Sequence, residues 1–146
     1  MTEREWTLVV QGILSEMVED QEKLRVKAFE RIPYALEVIG YGDQGNHDLR
    51  HMVYQSDLVI TDSIAEDVWK PRAILELKIK TVITHAAITY SQKAFAHEKV
   101  HPYLRYGILL GNRTHYPLPG RLFRHGAHFD FMASWVGFHP TDEEMY

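Results

Sequence analysis

The sequence predicts a single α/β domain in the order helix, strand, strand, strand, helix, strand, followed by a C-terminal extension. Three observations carry this. Apolar residues near the N-terminus recur every three or four positions, as on one face of a helix. Three strand-like runs follow, separated by glycines, a proline and polar clusters. An Ala-rich helical stretch then precedes a fourth strand, which is how a crossover returns the chain to its own sheet.

Taken in order, Trp6, Val10, Ile13, Met17, Leu24 and Ala28 trace a helical face over residues 3–31. Thr2 stands at the N-cap, Gln21 is the weak point and Pro33 ends the segment. Residues 34–41 read as a strand closed by Gly40, Gly42 and Gly45, and residues 43–50 as a loop. Residues 52–61, with Val53, Leu58, Val59 and Ile60, are the second strand, and residues 62–71 a polar connection. In the third strand, 72–81, alternation puts Leu75, Leu77 and Ile79 on one face and Ile74, Glu76, Lys78 and Lys80 on the other. Residues 84–99 form the second helix, stopped by Pro102, and 104–110 the fourth strand, ended by Gly111 and Asn112. The tail holds Pro117, Pro119 and Gly120, a strand over 128–136 and an acidic end. The three strands can form a meander and the crossover can add the fourth, giving a mixed sheet. One domain is expected over 1–146, with its core at about 3–111 and an extension over 112–146.

Composition narrows the functional classes. At 146 residues, 45% hydrophobic and 25% charged, the chain can bury a single core and is not disordered. No apolar run approaches the roughly 20 residues of a membrane span. The charged start, residues 1–4, reads as helix rather than signal peptide. There is no cysteine, so thiolate metal sites and cysteine nucleophiles are excluded and a reducing cytoplasm is expected. Net charge is −4, but residues 69–130 hold ten Lys/Arg against three Asp/Glu, and the remainder six against seventeen. A phosphate-facing surface can be built from the second half alone.

Asp57 falls on the second strand, and Glu76 and Lys78 lie two residues apart on the third, side by side on one face. If the strands pair, two carboxylates meet, and they repel unless a cation lies between them or one is protonated. A hard divalent ion, Mg²⁺ or Mn²⁺, answers this with oxygen ligands and retained waters. Lys78 beside it would orient or deprotonate an attacking water, and the ion would stabilise charge on a cleaved phosphodiester.

Ser56-Asp57 and Glu76-Leu77-Lys78 resemble the motif of the PD-(D/E)xK nuclease superfamily, which includes restriction enzymes, Holliday-junction resolvases and repair nucleases. The element order matches that superfamily's restriction-endonuclease-like core over roughly residues 6–110; Ser56 stands where the pattern usually has proline. The resemblance implies DNA hydrolysis, with Asp57, Glu76 and the Leu77 carbonyl as metal ligands and Lys78 acting on the water. It also implies a metal-proximal glutamate on the first helix, for which Glu16 and Glu19 are candidates. Cutting both strands of a duplex with one site per chain implies a homodimer. Lys80, Gln92, Lys93, Arg113, Arg121 and Arg124 are candidate DNA contacts. Tyr90, Tyr103 and Tyr106 offer stacking surface, with two of the three expected to be buried or partly so.

A second motif competes. His97-Glu98-Lys99-Val100-His101 matches H-E-x-x-H, which on a helix lets His97 and His101 bind zinc with Glu98 as general base of a peptidase. Pro102 ends that helix early, and Leu104 and Gly107 occupy the places where an extended zinc motif needs Gly and His. A third ligand would come from His115, His125, His128 or Asp130. A non-catalytic relative that only binds DNA or a protein is the remaining alternative. His47 and His51 are expected in solvated loop.

Overall fold

The computed structural model describes residues 1–114 and 118–145; His115 and Pro117 lie outside the described residues. The protein is mixed α/β, with a five-stranded mixed sheet and a separate two-stranded ribbon. Helix α1 spans Glu3–Met17, half the length expected. Thr2 caps it: its hydroxyl accepts the Glu5 amide while the Glu5 carboxylate accepts the Thr2 amide. Val18 closes the other end, and the chain re-emerges as β1, Leu24–Ala28. Leu24 and Ala28 are four apart and imitate helical spacing. Val26 between them is the most buried of the five, which is the period of a strand.

The next two strands, β2 (Arg31–Tyr41) and β3 (His47–Gln55), pair only with each other. Pro33 is therefore a strand residue, opposite Val53, and not a helix stop. His47 and His51 are on β3, exposed, rather than in loop. The run predicted over 52–61 is broken in two, because β4, Leu58–Ala65, begins after a two-residue link. Of the stretch expected to be a polar connection, residues 62–65 belong to β4 and 68–71 to β5, Val68–Ile79, with a tight turn between them. The meander is thus β1-β4-β5, not the three runs chosen from the sequence. The elements of the main sheet and its helices run α1, β1, β4, β5 and then a second helix and further strands, with β2–β3 as an insertion.

Helix α2, Thr84–Val100, crosses over and delivers β6, Arg105–Gly111, parallel to β5. A short helix α3, Gly120–His125, was not foreseen, and β7, Phe131–Ser134, is shorter than predicted and parallel to β6. On one face of the sheet Trp6 and Val10 of α1 pack on Val26, Leu58, Leu77, Leu109 and Trp135. On the other, Ala94 of α2 packs with Val59, Ile74, Leu104 and Tyr106, and Leu122 of α3 with Val82, Ala87, Ile108 and Leu110. The expected alternation along β5 holds: Leu75, Leu77 and Ile79 join the α1 side and Ile74 the α2 side. The C-terminal extension completes the core, since Trp135 meets the Trp6 ring edge-on at 6.1 Å and the Phe138 carbonyl accepts the Trp6 indole N–H at 2.8 Å. Among the described residues no helix is long and apolar enough to cross a membrane.

Candidate active site

Asp57 occupies the link between β3 and β4, not a strand. Its position follows from a paired break in the chain. Phe29, just after β1, takes φ 58°, a left-handed conformation that turns the backbone out of the main sheet towards the ribbon. The returning strand breaks beside it. The Phe29 amide donates to the Asp57 carbonyl at 3.0 Å, and the Ser56 amide to the Glu30 carbonyl at 2.8 Å. The β4–β5 register ends at Leu58 and Leu75, so the Leu77 amide lies beyond the last backbone pair. Asp57 Oδ2 accepts it at 2.8 Å, fixing the carboxylate against β5.

Glu76 is only 3% exposed. Tyr106 of β6 donates its phenol O–H to Glu76 Oε1. Burial pushes the Glu76 pKa up to about 8, and the Asp57 charge adds to this. The Tyr106 bond and the Lys93 charge oppose the rise, while a carboxyl–carboxyl hydrogen bond with Asp57 reinforces it. Without a cation Glu76 is therefore mostly protonated at neutral pH. Burial and Glu76 likewise raise the Tyr106 phenol, which stays an O–H donor.

Lys78 completes the group. Burial by itself would lower its pKa, but Tyr90, Glu3 and Asp57 outweigh that and raise it. Its Nζ is 3.3 Å from Glu3 Oε1 and 4.8 Å from the Tyr90 ring centre. Glu3 Oε2 also accepts the Ile79 amide at 3.3 Å. The α1 glutamate beside the site is thus Glu3, and neither Glu16 nor Glu19. Glu16 lies at the far end of the helix, about 20 Å along its axis at 1.5 Å per residue, and Glu19 in the turn beyond it. No sequence pattern marks the Glu3 contact: the capping box Thr2-x-x-Glu5 fixes where α1 begins, while the approach of its first turn to β5 depends on tertiary packing.

Lys80 leaves the face it was expected to share: β5 stops at Ile79 and Lys80 turns away with φ 67°. Its carbonyl accepts an Arg113 N–H at 2.7 Å, and both line a cavity of about 400 Å³ with Asn112 and Thr114. Gln92 and Lys93 line a different cavity, of about 430 Å³, against the ribbon. Arg121 and Arg124 lie on α3, whose Leu122 packs near Val82 and Leu110 at the same end of the sheet. Of the three tyrosines, Tyr106 is buried, Tyr90 half-buried and Tyr103 exposed.

The H-E-x-x-H segment lies on α2, but His97 is a core residue. It is fully buried, stacked on Tyr106 at 5.5 Å, with Nδ1 3.2 Å from the Pro33 carbonyl. That carbonyl can only accept, so Nδ1 carries the proton. Burial lowers the His97 pKa to about 4. His101 is lowered by burial too, and also meets the Pro33 backbone. Glu98, raised to about 7 first by burial, is hydrogen-bonded to Asp130. A catalytic zinc keeps an open position for water and substrate, and a fully enclosed His97 offers none. His115 lies outside the described residues; His125 ends α3, and His128 stacks on Phe95 at 4.5 Å.

Among the described residues no group of three or more His, Asp or Glu side chains is gathered to hold a metal. A cation at Asp57 and Glu76 would complete its shell from a backbone carbonyl and waters, as Mg²⁺ commonly does. No family model matches the chain, and no curated protein matches it significantly.

Proposed function

We propose that the protein is a Mg²⁺- or Mn²⁺-dependent DNA endonuclease with a restriction-endonuclease-like core. One observation carries the reading. Asp57, fixed on the Leu77 amide, and the buried Glu76, held by the Tyr106 hydroxyl, come from separate segments and lie close enough for the Asp57 charge to raise the Glu76 pKa, with Lys78 beside them. An acid pair at the edge of a core is costly to keep. A divalent cation is the natural replacement for the proton, so the donor set fits one.

A bound cation would neutralise the carboxylates and polarise the phosphodiester. The remaining work belongs to the chain. Asp57 and Glu76 bind, with Glu76 giving up its proton, and Leu77 offers its carbonyl. The Leu77 amide and the Tyr106 hydroxyl hold the two carboxyl groups in place. Lys78, kept cationic by its neighbours, orients the attacking water and stabilises charge growing on the phosphate; its raised pKa suits it poorly to removing a proton. Cutting a duplex would call for a homodimer, and a cysteine-free chain suits the cytoplasm. The test is cleavage of plasmid and of circular single-stranded DNA with Mg²⁺ or Mn²⁺. Activity should vanish in EDTA and in Asp57→Ala; activity that survives Asp57→Ala would sink the assignment.

A further inference from the structure

A ladder of alternating cations and rings leads away from the proposed catalytic lysine. Lys78 Nζ lies 4.8 Å from the Tyr90 ring. Lys93 Nζ lies 4.8 Å from the same ring and 4.5 Å from that of Tyr54. Tyr54 is stacked on Tyr34 at 4.0 Å with an interplanar angle of 17°. The ladder ends in the cavity of about 430 Å³ between ribbon and α2, lined by Tyr34, Tyr54, Ile88, Thr89, Gln92 and Lys93.

These groups match the parts of a nucleotide. The tyrosine pair offers a π surface and Ile88, 47% exposed, an apolar rim. The exposed Gln92 amide can both donate and accept along a base edge. Lys93 lines this cavity and shares the Tyr90 ring with Lys78, so a phosphate joined to a base here would extend towards Lys78. A base inside a duplex is already stacked and cannot present its face to such a cavity.

We infer that this cavity takes an unstacked nucleobase of the strand being cut, so that the substrate is DNA with unpaired bases rather than intact duplex. The inference rests on the nuclease reading for the identity of the neighbouring site. It also removes the need for two copies, since one site suffices for one strand.

The test is fluorescence anisotropy of a short labelled oligonucleotide in EDTA, single-stranded and as a blunt duplex, so that binding is read without chemistry. The single strand should bind about ten-fold or more tightly than the duplex. Tyr54→Ala should erase most of that margin, because it removes the ring that backs Tyr34 and seats Lys93, while Tyr54→Phe keeps it. Gln92→Ala, on an exposed helix face, leaves folding intact and should weaken single-strand binding several-fold. Equal affinity for both forms, or wild-type binding by both Tyr54→Ala and Gln92→Ala, overturns the base pocket. If DNA is cleaved in an Asp57-dependent way while those variants bind normally, the pocket falls and the nuclease stands. A Tyr54-dependent single-strand preference without metal-dependent cleavage does the reverse.

Discussion

Glu76 has one hydrogen-bond donor from a neighbouring strand, Tyr106, and almost no water. Removing that donor leaves a buried carboxyl group short of a partner, which costs about 1–3 kcal/mol. Tyr106→Phe should lower the unfolding free energy by that amount in urea titrations, with no change in the slope against denaturant; a loss below about 0.5 kcal/mol would mean that the bond contributes nothing. His97, against the same tyrosine ring, supplies a pH signature. Its folded pKa of about 4 lies below the ordinary histidine value of 6.5, so the unfolded chain binds more protons between those values. The His97 contribution is whole above pH 6.5 and shrinks as pH falls towards 4, by about 3 kcal/mol at most. Wild type should therefore lose stability relative to His97→Gln over that window, and parallel curves would refute the buried neutral imidazole.

At the scale of elements, α2, β5 and β6 were legible to within a few residues: α2 from its length between a strand and Pro102, β5 from its alternation, and β6 as a short apolar run buried on both faces of the sheet. Periodicity failed where two periods overlap. Leu24 and Ala28 continue the spacing of α1 by coincidence, and only the buried Val26 betrays the strand. It failed again at Ser56–Asp57, where the polar triplet Gln55-Ser56-Asp57 was read through as part of one strand and in fact marks a change of sheet. How the break is held depends on Phe29, distant in sequence, and that partner is not visible locally. Glu76 and Lys78 were legible because alternation on a strand needs no partner. Glu3 and Tyr106 were not, because both reach the site through packing between elements. One such packing contact is unusually close: at Gly111 on β6, an added Cβ would overlap the Trp6 indole. Gly111→Ala should force α1 off the sheet and destabilise by about 1–3 kcal/mol in thermal unfolding. Unchanged melting would show that α1 has room to move.

For the whole molecule, the first helix and the last residues depend on each other. Trp6 is enclosed by Trp135 and Phe138, so deleting residues 131–145 should abolish cooperative unfolding rather than merely lower its midpoint. A sharp calorimetric transition in the truncated chain would contradict this. The paired break at Phe29 and Asp57 has a mechanical consequence as well. The ribbon is anchored to the body where the Phe29 amide meets the Asp57 carbonyl, and the side chain of that same aspartate grips the β5 edge. The ribbon therefore works as a lever with Asp57 near its fulcrum. A strand lodged against Tyr34 and Tyr54, as proposed, would press on the long arm, and the load would reach the carboxylate proposed to bind metal. Hydrogen exchange at the Phe29 and Leu77 amides should slow in step when an oligonucleotide binds, and slowing at one without the other would uncouple the arm from the acid.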